Sequence, residues 1–215
     1  MHLHDVRRLQ PLNNRVSALS AAVLALVPSA DHLYIGDHAV VGGGVVTSWP
    51  GVLGSTLVPA QSATLAKNGS LVQGSQSSSW ARLQCADTSL AVYVVAVAKI
   101  DSVPVADFVA AVEFAEPASA DRHVFTGLNG ASIWYGNYTH YVNGSLATTI
   151  PTSLSVVEAL GVSAVRSTLG VMGAYTDLPS RNWIGQLGFL LISPVAPSDL
   201  SRTALVSALR DYYGI

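Results

Sequence analysis

Charge is what this sequence has least of. Only 11% of its 215 residues are Asp, Glu, Lys or Arg, whereas 50% are hydrophobic, and the formal net charge is -2. A soluble domain ordinarily carries about 25% charged residues. No stretch concentrates Lys and Arg, which argues against nucleic-acid binding, because that needs clustered cations to displace counterions. Cysteine is nearly absent: Cys85 is the only one, so an intrachain disulfide framework and a Cys-rich zinc site are both excluded. Cys85 is expected to be a small buried apolar residue, with no histidine nominated as a catalytic partner. No apolar run approaches the roughly 20 residues that a bilayer span requires, and no membrane span is expected. A surface this poor in charge suits a protein that buries part of itself against neighbours.

The N-terminal thirty residues combine basic and apolar features. Arg7, Arg8 and Arg15 accompany an apolar run over 16–27, and Pro28-Ser29-Ala30 follows. The order mimics a secretory leader. Pro28, however, would stand three residues before the cut, and the segment is expected to be retained. Leu12, Val16, Leu19, Val23 and Leu26 are spaced alternately four and three apart, the rule for a helix-helix seam. Pro11 cannot sit inside a helix, so the predicted helix covers 12–27. Ala18, Ala21, Ala22, Leu24, Ala25 and Val27 leave its other faces apolar too, which is the pattern of a buried helix. It either packs on its own domain or enters a groove or bundle on neighbouring subunits. The division expected is an N-terminal helical arm, 1–30, and a β-rich domain, 31–215.

Beyond residue 31 the signals change. Gly42-Gly43-Gly44 reads as a flexible break. Short β-type runs follow at 89–100, 109–114, 122–126, 131–135, 139–142, 169–172 and 182–193. Asn68-Gly69, Asn129-Gly130 and Asn143-Gly144 are hairpin turns, since both residue types tolerate positive φ. Many short strands with turns between them predict an antiparallel sandwich rather than alternating β-α units. One helix closes the chain, with Ser198 or Ser201 as its cap. Leu200, Ala204, Leu205, Ala208, Leu209 and Tyr212 form its predicted apolar stripe, and Gly214 its terminator.

Several of these segments coincide with a known pattern. Val46-Thr47-Ser48-Trp49-Pro50-Gly51 with Gly54, the Tyr141-Val142-Asn143-Gly144 hairpin, and the ending from Gly185 to Ile192 followed by Leu200-Ser201 and the helix resemble the concanavalin A-like (laminin G-like) jelly-roll domains of bacteriophage structural proteins. The likeness covers about residues 40–215. Gly188 departs from it, standing where relatives often carry an acidic residue. The resemblance implies a fold used both for glycan recognition and for building virions, and fold alone does not set function.

Catalysis on such a fold would need two carboxylates at a controlled separation. The related glucanases place them as E-x-D-x-x-E on one strand, and no such motif occurs here. Glu113 and Glu116, followed by Pro117, look like a strand end, and Glu158 and Asp177 have no partner visible in sequence. Asp101, Asp107, Asp121 and Asp177 are scattered singly, unlike a calcium loop, and the six histidines read as surface or satisfied polar positions. Trp134, Tyr135, Asn137 and Tyr138 crowd one hairpin region. Aromatic faces and amides of that kind suit stacking on a sugar ring, but strand alternation sends some of them into a core or a subunit interface. Trp49, Trp80 and Trp183 read as core anchors.

The expectation is a non-enzymatic structural protein of a phage virion: a head decoration, head-fibre or tail-associated subunit without cofactor or metal. It would assemble through its arm with copies of itself and with other virion proteins. A trimer is expected from how fibres and decorations are usually built. The alternative is a carbohydrate-binding module that recognises host surface polysaccharide, and a glycoside hydrolase ranks third.

Overall fold

A computed structural model of the chain describes residues 12–60, 64–75, 82–86, 90–102, 108–115, 122–128, 138–165, 168–173 and 182–215. The run predicted as a strand at 131–135, the Asn129-Gly130 turn, and Trp80, Glu116, Asp107, Asp121 and Asp177 lie outside them. The described chain is mostly β, in antiparallel sheets, with one helix near each end.

The organising strand is β8 (Leu90–Ile100), which is buried on both faces. Ala91, Val94, Ala96, Ala98 and Ile100 belong to one apolar cluster, while Tyr93, Val95 and Val97 belong to another. Successive side chains of a strand point to opposite sides, so β8 separates two apolar layers. It pairs with β13 (Ser155–Val165) on one edge and β15 (Gly185–Ser193) on the other. Outward from β13 lie β11 (Thr139–Val142) and β12 (Ser145–Leu146). β15 shares its other edge between two strands. Its first part pairs with β6 (Leu71–Gly74), itself paired with β5 (Ala66–Asn68), and its later part pairs with β1 (His32–Ile35).

A second sheet orders β10 (Arg122–Leu128), β9 (Phe108–Ala115), β14 (Thr168–Val171), β7 (Leu83–Ala86) and β4 (Val58–Pro59). Val109, Ala111, Phe114, Leu169, Val171 and Leu83 from this sheet share the inner layer with β8 and β15. Trp49 and Trp183, both fully buried, belong to that layer too, as their reading as core anchors requires. Cys85 is buried there as well, within 3.8 Å of the Tyr34 hydroxyl.

Two bulges keep the layers in register. Leu187 faces the inner layer, but so do Leu190 and Ile192, whereas Phe189 and Leu191 face outward. The switch falls at Gly188, where the pairing of β15 with β8 slips by one residue. An extra residue inverts which side the next residues face. In β13 the register shifts between Leu160 and Ala164, a stretch that contains Gly161 at φ +79°.

The triple glycine is a turn rather than a flexible break. β2 (Val40–Gly42) and β3 (Val45–Ser48) form a two-stranded ribbon. Gly43 and Gly44 connect them with φ of +60° and +86°, the positive values that a two-residue hairpin turn requires. Asn68-Gly69 joins β5 to β6, and Asn143-Gly144 joins β11 to β12, as their residue types predict.

The helices occupy the outward layer. Helix α1 (Leu12–Leu26) starts directly after Pro11 and ends before Pro28. Its buried positions Val16, Leu19 and Val23, with Val27, pack into the cluster that holds Leu33, Ile35, Val95, Val97, Phe189 and Leu191. Leu26 is half-buried against the same cluster. Of the two placements open to this helix, the structure shows the first: the seam faces this chain's own sheet, because Val16, Leu19, Val23 and Val27 line up at helical spacing against the outward side chains of β8 and β15. Its opposite side, with Ala18, Ala21, Ala22 and Ala25, is exposed.

Helix α2 (Asp199–Tyr213) is capped by Ser198, whose side chain accepts from the Ser201 backbone N–H, and it ends at Gly214 in the left-handed conformation. Its buried stripe is Arg202, Leu205, Val206 and Leu209. Leu200, expected in that stripe, is 82% exposed, because the helix turns Arg202 inward from its first turn instead.

Candidate functional site

The outward layer gathers several polar side chains that are bonded across long stretches of sequence. Glu158 stands mid-strand in β13, fully buried. Arg202 reaches it from α2, with Nε 3.0 Å from Oε1 and Nη2 3.4 Å from Oε2. The Tyr93 hydroxyl of β8 donates to the same Oε1 at 2.8 Å. Arg202 also contacts Asp199 at 3.1 Å and lies over the Tyr141 ring at 4.2 Å from its centroid. Burial pushes the Tyr93 phenol well above its usual range, and the Glu158 charge pushes it further. Burial works against the charged form of Arg202, but the hydrogen bonds and charge of Glu158 outweigh it and hold the guanidinium protonated. Glu158 is thus an acceptor committed to two donors.

A second knot lies where β1 and β6 meet along β15. Asp37 Oδ2 accepts from the Tyr212 hydroxyl at 2.8 Å, and Asp37 Oδ1 accepts from Ser70 Oγ at 2.8 Å. Lys67 Nζ donates to the carbonyls of Asp37 and Ala39, each at 2.8 Å. Tyr213 donates to the Gly188 carbonyl. Arg15 of α1 bonds the Tyr212 carbonyl at 3.2 Å and sits over its ring. These contacts fasten the last turn of α2 to the sheet and to α1.

Beside α2, under the Asn143-Gly144 turn, runs an open groove with a volume of about 490 Å³. Asn143, Ser145, Thr203, Ser207, Arg210 and Asp211 line it. A smaller recess of about 240 Å³ continues from it toward Tyr141 and the Glu158–Arg202 pair.

Of the residues expected to bind glycan, Trp134, Tyr135 and Asn137 lie outside the described residues. Tyr138 is half-buried, packed against the inner layer, with its ring edge-on to His140 at 6.1 Å. His140 is buried, and burial lowers its pKa to about 4. Glu113 is fully buried within β9, not at the strand's end. Of the seam residues, Val16, Leu19, Val23 and Leu26 converge on the outward layer, and Leu12 opens the helix. Among the described residues no three or more His, Cys, Asp or Glu group as metal ligands, and no helix is long and apolar enough to cross a membrane.

The Glu158–Arg202–Tyr93 triad escaped the sequence reading. Its signal was present: a glutamate inside the apolar run Ser155-Val156-Val157-Glu158-Ala159-Leu160 needs a buried partner. A separate feature is the β2–β3 ribbon, where Val40, Val41 and Val45 are exposed, together with Val58 of β4.

No family model matches the chain, and neither does any curated protein or solved structure.

Proposed function

We propose that this chain is a structural subunit of a bacteriophage virion, a head decoration, head-fibre or tail-associated protein, built on a concanavalin A-like jelly roll. The observation that carries the reading is the exposed apolar ribbon: Val40, Val41 and Val45 lie at or above 37% exposure in a chain with 11% charged residues. Exposed apolar surface of this kind suits contact with a neighbouring subunit. The buried, committed state of Glu158 also favours a scaffold over a hydrolase, which would need a free carboxylate pair facing a cleft. The fold assignment draws on the Tyr141-Val142-Asn143-Gly144 hairpin and on the terminal strand-then-helix unit, together with two antiparallel sheets that share one apolar layer.

The test is compositional. Phage particles whose genome encodes the chain are purified by density gradient, washed in high salt and analysed by mass spectrometry. A fixed copy number per particle supports the reading, and absence from washed particles overturns it. The Val41→Lys variant should fold normally and be incorporated at a reduced copy number.

A further inference from the structure

Both outward helices bury apolar side chains in the same layer, Leu205, Val206 and Leu209 from α2 among them, but they differ in their directional bonds. Helix α2 is fixed by directional contacts: Arg202 to Glu158 at 3.0 Å, Tyr212 to Asp37 at 2.8 Å, and Tyr213 to the Gly188 carbonyl. Helix α1 is held by the apolar side chains Val16, Leu19, Val23 and Val27 and, among the described residues, by one polar tether, Arg15 to the Tyr212 carbonyl. Apolar burial is non-directional, so the surface that accepts α1 does not distinguish this chain's α1 from that of another copy.

The connection favours a pivot. From Asp31 onward the chain is bound to β15, through Asp31 N–H to the Ile192 carbonyl at 3.1 Å, and Ser29 Oγ lies 2.8 Å from Ser193 Oγ. On the helix side, Val27 N–H bonds the Val23 carbonyl at 2.9 Å. Between these anchors stands Pro28, which is exposed and lacks a backbone donor. A single backbone bond, Ala30 N–H to the Val27 carbonyl at 3.1 Å, closes the turn. Rotation at this point swings α1 off its sheet as a unit.

We propose that α1 is an exchangeable element: copies of this chain join by laying α1 of one onto the outward layer of the next, in the cradle now filled by the chain's own helix. Exchange of identical elements is a low-cost route to self-association. The closed form competes with it at an effective concentration on the order of millimolar for so short a connection. Dilute protein is therefore closed and monomeric, and exchange sets in where copies are held at comparable local density. The inference rests on the packing of α1 and on its connection at Pro28, so it is tested on purified protein and its failure would leave the virion reading untouched.

In a Cys85→Ser background, chains carrying only Arg15→Cys are mixed with chains carrying only Tyr212→Cys. The mixture is concentrated, diluted and treated with a short bismaleimide. Mixed cross-linked dimers are the expected product. A cross-link that forms only when both cysteines are on one chain, at every concentration, overturns the proposal. Deleting Ser29 and Ala30 provides a second reading that needs no added cysteine. The shortened pivot prevents α1 from folding back, and the dissociation constant of the dimer should fall about 10²–10⁴-fold, giving a dimer by light scattering where the parent chain is a monomer. A monomer, or an aggregate of undefined mass, overturns the proposal.

Discussion

The phenol of Tyr213 donates to the carbonyl oxygen of Gly188, joining the last turn of α2 to the bulge in β15. The contact explains the glycine. A Cβ on residue 188 would lie 2.7 Å from Tyr213 Cε1 and 2.5 Å from Leu71 Cδ2, so no acidic side chain can stand there while the tyrosine does. The carbonyl belongs to the residue where β15 changes partner from β6 to β1. Tyr213 therefore seals the seam between two strands that share one edge.

Gly188→Ala should accordingly destabilise the fold by about 1–3 kcal/mol, the usual penalty for overpacking. Tyr213→Phe should cost about 1 kcal/mol, the worth of one hydrogen bond. In Tyr213→Ala the alanine at 188 should cost less than in the parent chain, since the two sites touch. Urea unfolding of the four variants measures this coupling, and strict additivity would sever the link between ring and bulge.

Breaking the buried triad should be more damaging. Arg202→Met leaves the buried Glu158 without its cationic partner beside Tyr93, and the expected loss is about 3–5 kcal/mol. Replacing both residues with apolar ones, Glu158→Leu with Arg202→Met, should recover most of it, because the desolvation of two charges disappears with them. Equal losses for the single and double replacements in denaturant titrations would refute this.

His140 should make stability sensitive to mild acid. Its pKa is depressed to about 4 by burial, whereas an unfolded histidine titrates near 6.5. Below the unfolded value the unfolded chain binds the extra proton, so stability falls as pH drops from about 6.5 toward 4 and then levels off, for a total of up to roughly 3 kcal/mol. His140→Gln should flatten the part of the stability curve between about pH 6.5 and 5. An NMR titration of the ring that gives an ordinary histidine pKa would contradict the prediction.

The two sides of α1 should respond oppositely. Leu19→Ala removes a buried side chain and should cost about 2–4 kcal/mol. Ala21→Lys, on the exposed side, should change stability by less than about 0.5 kcal/mol. Thermal melts of both variants check this. An unaffected Leu19→Ala would mean that α1 contributes nothing to the closed chain.

Period and turn chemistry made much of the fold readable. The β8 run is rich in Val and Ala and bounded by polar residues, and the Asn-Gly pairs at 68–69 and 143–144 sit at the hairpins they predict. β13 was not recognised. Glu158, Gly161 and Ser163 interrupt its apolar pattern, and two of these interruptions have a tertiary reason or position that no local rule supplies: Glu158 answers Arg202, 44 residues away, and Gly161 lies in the bulge. The seam in α1 was visible, but the surface it meets was not. Heptad spacing states that a helix has an apolar side, and only the outward residues of β8 and β15 decide what covers it. The exposed valines of the β2–β3 ribbon were hidden for the opposite reason, since an apolar strand residue looks the same in sequence whether it is covered or bare.

β15 is bonded to β1, β6 and β8, yet among the described strands it is the last to leave the ribosome. Until residue 193 has been synthesised, β1 and β6 have no strand to hold them in the sheet and β8 presents an open edge. The larger sheet must therefore close after most of the chain has been made, by pairing residues that are distant in sequence, which is intrinsically slow. Its unpaired strands meanwhile stand exposed to any chaperone, or any sister chain, that reaches them first.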